Sequence, residues 1–365
     1  MTVSYRSRGP GVAEMKVTDH VAPSYAQLRP FKPERTHTFP VYPDLVDKLV
    51  GADTYPDDTV AHVMAVCSAY AYSEVATVAT IMARMGLEQN HCVMIEEYVD
   101  AMFITSTSFL VQSRDGRVVI LCYRGTPPTS LITWLTDANI DPTRIDIPFP
   151  RGSGEGYVHS GFYRNVRATR YEILNALERA VDGRSVRPGG GKLANELQAL
   201  YITGHSLGAA SASMLALMLV TELAYQQSIL GRLKAVYTFG GPMLVSPELA
   251  RDCNQHDFLR ERVLRYVYAN DIVPQLPPAE SDPFAHFGTG YQYKPRGEDG
   301  SWQQNDAPRK QQRSLLSIVA SPLSLLAEDF KLTRRLRFRA SLRDHLPQSY
   351  VSALTPAGVR SEFGD

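Results

Sequence analysis

The residues with the clearest chemical potential lie in ITGHSLGAAS, 202–211, where Ser206 sits at the centre of a G-x-S-x-G pattern. A serine hydroxyl is a weak nucleophile alone; it needs a base to take its proton and an acid to orient that base. The setting of Ser206 suits that use. The short apolar run LQALYITG precedes it, and a long apolar stretch from Leu207 to about Tyr225 follows. This predicts a buried strand, a sharp turn and a helix, the arrangement that lifts a serine hydroxyl above a sheet. Gly204 and Gly208 lack side chains, so strand and helix can approach closely. The N-terminus of the helix offers backbone N–H groups to a developing negative charge. The competing reading of the same letters is a glycine-rich turn with a helix-capping serine.

An α/β sheet presents its functional groups at the carboxyl ends of its strands. The acid is therefore expected after a buried strand that follows the serine, and the base later still. Asp271, in VLRYVYANDIVPQLPP, stands just past such a strand, although Asn-Asp is also a good turn pair. Asp252, Asp257 and Asp282 follow no comparable apolar run. Of nine histidines, His20, His37, His62, His91 and His159 precede the serine, His205 lies inside its turn, and His256 precedes the acid strand. That leaves His286, set among aromatic residues as a structural histidine often is, and His345, on a polar segment before a proline. His345 is the preferred base.

These groups need a scaffold. VAHVMAVCSAYAYSEVATVATIMARM suits a helix or helix pair from Asp58 to about Met85, and SFLVQSRDGRVVILCYRG reads as a hairpin turning at Asp115-Gly116. The segment from 155 to 181 reads as a helix, Gly189-Gly190-Gly191 as a flexible loop, and LKAVYTFGGP and RVLRYVYANDIVP as buried strands. Strands alternating with helices predict a mainly parallel sheet covered on both faces. Residues 1–57, rich in Pro, Arg and polar residues, are expected to form an irregular N-terminal arm, followed by a single unit over 58–355.

Composition narrows the function. The chain has 365 residues, with 38 Lys plus Arg against 38 Asp plus Glu. That balance argues against a general nucleic-acid binder. The four cysteines show no C-x-x-C spacing and read as buried thiols, so zinc and redox motifs are unsupported. No apolar run reaches the ~18 residues of a membrane span, and the N-terminus lacks the apolar core of a secretory signal. The expected location is the cytoplasm, or outside the cell by a signal-independent route.

Taken in order, AYAYSE, VVILCYRGT with TWLTD, VHSGF, ITGHSLGAASASMLAL, TFGGP, YVYANDIVPQLPP, HFGTGYQY and DHLPQSY resemble the class 3 (fungal-type) lipase family over roughly residues 60–350. The resemblance implies an α/β-hydrolase fold and a triad of Ser206, Asp271 and His345. It also implies an oxyanion site formed by Thr126 of YRGT and the backbone N–H of Leu207, with His286 structural and no metal or organic cofactor. The implied reaction is hydrolysis of carboxylic esters of lipids, triacylglycerols or other acylglycerols. The alternatives are a phospholipase or galactolipase on the same frame, and a lipid-binding protein whose hydrolytic site has decayed. Residues 296–340 match no part of the family pattern and read as an insertion.

Within and just past that insertion, SLLSIVASPLSLLAEDF is followed by KLTRRLRFRASLR, which carries Lys331, Arg334, Arg335, Arg337, Arg339 and Arg343. Residues 314–343 read either as an amphipathic element packed on the core or as a cover that touches a lipid interface.

Overall fold

Along the strands at the centre of the molecule, apolar side chains alternate between two core layers, as the pleat requires. Val119, Leu121, Leu200 and Ile202 enter one layer; Val118, Ile120, Ala199 and Tyr201 enter the other. A strand buried on both sides must be covered on both sides, and the helices do this.

The computed structural model describes residues 2–4, 15–29, 39–99, 104–126, 142–146, 155–222, 228–277, 284–295, 300–305 and 343–359. The strands are β1 (Thr2–Ser4), β2 (Lys16–Val21), β3 (His91–Val99), β4 (Ile104–Gln112), β5 (Val118–Tyr123), β6 (Pro142–Asp146), β7 (Glu155–His159), β8 (Ala199–His205), β9 (Leu233–Phe239), β10 (Val263–Val267), β11 (Thr289–Lys294) and β12 (Ser301–Gln304). The helices are α1 (Leu45–Gly51), α2 (Asp58–Tyr70), α3 (Val75–Met85), α4 (Ser160–Val181), α5 (Leu207–Thr221), α6 (Pro247–Gln255), α7 (Asp257–Arg262) and α8 (Pro347–Leu354). Ten strands form one sheet in the order β1-β2-β3-β4-β5-β8-β9-β10-β11-β12, while β6 and β7 pair separately. The run β5-β8-β9-β10-β11 is parallel, and antiparallel strands extend it at both ends. Helices α4 and α5 pack in one core layer; α2, α3 and α8 pack in the other.

Four expectations need correction. The arm over 1–57 is not irregular throughout, because β2 pairs with β3 from Lys16↔Glu96 to Val21↔His91, and α1 buries Leu45 and Leu49. Backbone pairing holds β2, where Val17 alone is buried, so no apolar period announces it in the sequence. The span 155–181 opens with strand β7 before the helix starts at Ser160. The helix after Ser206 ends at Thr221 rather than near Tyr225, since Glu222 turns to an extended conformation. Within the expected insertion, β12 pairs antiparallel with β11 as an edge strand. Residues 306–342, with nearly all of 314–343, lie outside the described residues.

Candidate active site

The turn between β8 and α5 carries Ser206 at φ 61°, ψ −128°, a conformation that L-residues rarely adopt. Two glycines make it possible. A side chain on Gly204 would collide with the backbone of Gly208, and one on Gly208 with the carbonyl of Tyr123 in β5. The Ser206 N–H donates to the Phe239 carbonyl at the end of β9 (2.9 Å), which pins the turn to the neighbouring strand. The strain is thus held by the sheet on one side and by close packing on the other.

Asp271 follows β10 in a turn that includes Ala269 at φ 40°. From β11, the amide of Gln292 donates to the carbonyls of Val267 (3.1 Å) and Ala269 (2.7 Å), bracing that turn. His345 lies in the one-turn helix Arg343–His345 that leads into α8. The Asn270 N–H donates to Asp344 Oδ2 (2.9 Å), so the acid turn and the histidine turn hold each other.

These turns bring three side chains into one line. His345 Nδ1–H donates to Asp271 Oδ2 (2.8 Å), and the Ser206 hydroxyl donates to His345 Nε2 (2.9 Å). A carboxylate only accepts, so the tautomer follows from the geometry. All three residues are 0% exposed, which strengthens each charge-assisted bond. Asp271 accepts two further donors: the Val273 N–H at Oδ1 (2.9 Å) and the Tyr350 hydroxyl of α8 at Oδ2. Burial and the nearby carboxylate push the Tyr350 phenol well above its ordinary value, so it stays protonated and donates.

The loop after β5 approaches the same point. The Arg124 N–H donates to the Thr107 carbonyl (2.9 Å), and the Arg124 guanidinium donates to Glu96 Oε1 (2.9 Å) and Thr107 Oγ1 (2.6 Å). This fixes the start of the loop to β3 and β4. A side chain on Gly125 would stand 2.5 Å from the His205 carbonyl and 3.1 Å from Ser206 Cβ. Gly125 therefore lies directly against the serine turn, with half-buried Thr126 next in the chain. Leu207 is the first residue of α5, so its N–H points out of a helix N-terminus.

The rival residues stand elsewhere. His286 Nε2–H donates to the Pro274 carbonyl (2.8 Å), and burial, with Arg265 nearby, pushes its imidazole down to about 3. It braces the chain that follows Asp271. Asp252 lies in α6 and Asp257 opens α7, while Asp282 lies outside the described residues. Tyr350, Gly240 and the side chain of His205 are parts of the site that sequence reasoning missed. Gly240 (φ 60°) sits where a Cβ would come within 2.6 Å of Asp271 Oδ2 and 2.9 Å of His345 Nδ1. The one sequence signal for Tyr350 was its place in DHLPQSY, on the helix that starts just after His345.

Among the described residues, no group of three or more His, Cys, Asp or Glu side chains could hold a metal ion, and no helix is long and apolar enough to cross a membrane. The four cysteines are buried and form no disulfide.

A strand–turn–helix serine on a parallel sheet, with an acid supplied after a later strand and a histidine from a turn further along the chain, defines the α/β-hydrolase class. Residues 120–281 match the family described as lipase (class 3). Over those residues the chain is similar to the class 3 lipase family. It is 27% identical over 233 residues to a triacylglycerol lipase of Ricinus communis, covering 54% of this chain and 42% of the relative. It is 27% identical over 173 residues to a phospholipase A1-II of Oryza sativa subsp. indica, covering 44% of this chain and 40% of that relative. The matches thus span less than half the length of these relatives. In fold the chain is similar to a lipase from Rhizopus microsporus var. chinensis, with a TM-score of 0.54 at 18% identity, covering 85% of this chain and 94% of that one.

Proposed function

We propose that the chain is a serine hydrolase that cleaves carboxylic esters of lipids through an acyl-enzyme on Ser206. The observation that carries this reading is the buried hydrogen-bonded line Ser206–His345–Asp271. His345 takes the hydroxyl proton as Ser206 attacks the ester carbonyl, and Asp271 orients the imidazole and stabilises its charged form. The backbone N–H of Leu207, with the N–H and hydroxyl of Thr126, receives the oxyanion. His345 then gives the proton to the departing alcohol, and water attacks the acyl-enzyme by the same route in reverse. No step requires a metal or an organic cofactor.

Acylglycerols are the proposed substrates, supported by the similarity to a triacylglycerol lipase of Ricinus communis. The similarity to a rice phospholipase A1-II favours a second reading, phospholipid ester hydrolysis on the same frame. A decayed, lipid-binding descendant is disfavoured, because Ser206, His345 and Asp271 are all present and hydrogen-bonded. Contact with a lipid interface through 314–343 is proposed from sequence alone.

The test is hydrolysis of triacylglycerol, monoacylglycerol, galactolipid and phosphatidylcholine by the wild type and by Ser206→Ala. Acylglycerol turnover that disappears with Ser206 supports the first reading. Turnover confined to phosphatidylcholine favours the second, and no turnover of any ester by folded protein contradicts both.

A further inference from the structure

His205 precedes the serine, and the mechanism leaves its side chain idle. The ring is buried and lies beside that of His345, with centroids 4.5 Å apart. Its Nε2 stands 2.7 Å from the backbone carbonyl of His345. A carbonyl only accepts, so Nε2 carries the proton, and Nδ1 accepts from the Tyr72 hydroxyl at 2.8 Å. Tyr72 lies between α2 and α3, and its hydroxyl also borders Gly125, where any Cβ would strike it. One chain of donors, Tyr72 to His205 to the His345 carbonyl, therefore reaches the turn that carries the base, and its Tyr72 end packs against the loop that carries Thr126.

The one-turn helix of His345 belongs to no sheet, and the His345 carbonyl and the Asp344 carboxylate both tie it to the body. Burial, and next the proximity of His345, hold the His205 imidazole well below its ordinary value. A neutral ring can therefore remain against His345 while His345 takes up a proton.

On the serine-hydrolase reading above, we propose that Tyr72 and His205 are positioning residues, a hydrogen-bonded clasp that sets the His345 turn and the Thr126 loop in register around Ser206. His205→Phe keeps an aromatic ring over His345 but removes both hydrogen bonds. Tyr72→Phe removes only the first donor. His205→Gln offers one donor and one acceptor in roughly the same places.

The experiment measures kcat and KM on a short-chain p-nitrophenyl ester, normalised to sites titrated with a fluorophosphonate, together with Tm. His205→Phe is expected to lower kcat about 10- to 100-fold with KM little changed, as a misplacement of catalytic groups should. Tyr72→Phe should give a smaller loss, His205→Gln should recover part of the activity, and the double variant should be no worse than His205→Phe alone. A lowered Tm with unchanged kcat per titrated site would make the pair merely structural and overturn the proposal. So would additive losses in the double variant. If His205→Phe does not fold, Tyr72→Phe and His205→Gln carry the same test. Ser206→Ala separates the two levels: turnover retained there overturns the hydrolase reading, and the clasp with it. Turnover lost there while His205→Phe and Tyr72→Phe behave as wild type overturns the clasp alone.

Discussion

Gly240 has no side chain where Asp271, His345 and Tyr350 converge, and that space is what lets the three meet. Gly240→Ala would place a methyl group within 2.6 Å of Asp271 Oδ2 at a backbone φ that alanine resists. The expected result is a loss in kcat on the order of 10² with a folded protein, since the acid and base must shift apart. Steady-state kinetics and circular dichroism together check this. Thr126→Val removes a hydroxyl and keeps the backbone N–H. The expected kcat falls by about 10² to 10³ with KM little changed, as for loss of one oxyanion donor. A kcat near wild type would limit Thr126 to its backbone. Ser206 and Asp271 could be chosen from the sequence because each follows a buried strand, and His345 by its place after both of them and by elimination of the other histidines. Gly240, Tyr350 and His205 could not, because their places depend on how three separate turns meet.

The element that ties the rear of the site together is α2, and His62 is its junction. The Tyr42 hydroxyl is 2.8 Å from His62 Nδ1, and Thr355, just past α8, is 3.4 Å from Nε2. Burial pushes the His62 imidazole down to about 4 from its ordinary 6.5. The unfolded chain therefore binds this proton more readily than the folded one. The stability that neutral His62 contributes is complete above about pH 6.5 and falls as the pH drops toward 4, by up to ~1.4 kcal/mol per unit. His159 and His286, both pushed down to about 3 by burial, act in the same direction. Tm should fall between pH 6.5 and 4, and His62→Gln should show a shallower fall. An equal slope in the variant would remove His62 from the acid sensitivity. Elements with long apolar runs bounded by turn residues, such as α2, α3 and the β4–β5 hairpin, were legible in the sequence. Strand β2 was not, because main-chain pairing at the sheet edge leaves little apolar pattern, and β7 was hidden by its continuity with α4.

At the scale of the whole molecule, the sheet carries the serine and acid turns at one end, the histidine turn lies against them, and Ser206 is buried there. On the proposed reading an ester must reach that buried hydroxyl, and the apolar and basic sequence at 314–343 is proposed, from its composition, as a lipid-contacting segment. Each large apolar side chain buried there could add about 1.5 to 3 kcal/mol, and each cation near an anionic surface about 1 kcal/mol. Activity should therefore rise as substrate passes its solubility limit and rise further with anionic vesicles. Leu325→Asp with Leu326→Asp should weaken vesicle binding while leaving Tm unchanged. An unfolded double variant and a flat response at the interface would place the segment in the core instead. The mainly parallel centre of the sheet followed from alternating strands and helices. Of its antiparallel flanks only the β4–β5 hairpin did, because β1 and β12 are short edge strands.

The central claim is that Ser206 is a nucleophile activated by His345. The most direct measurement is the rate and site of fluorophosphonate labelling, read by peptide mass spectrometry in the wild type, Ser206→Ala, His345→Ala and His286→Ala. The account predicts one label per chain on the peptide containing Ser206, none in Ser206→Ala, severely slowed labelling in His345→Ala, and a wild-type rate in folded His286→Ala. Labelling that persists without Ser206, or that proceeds at full rate without His345, would contradict it.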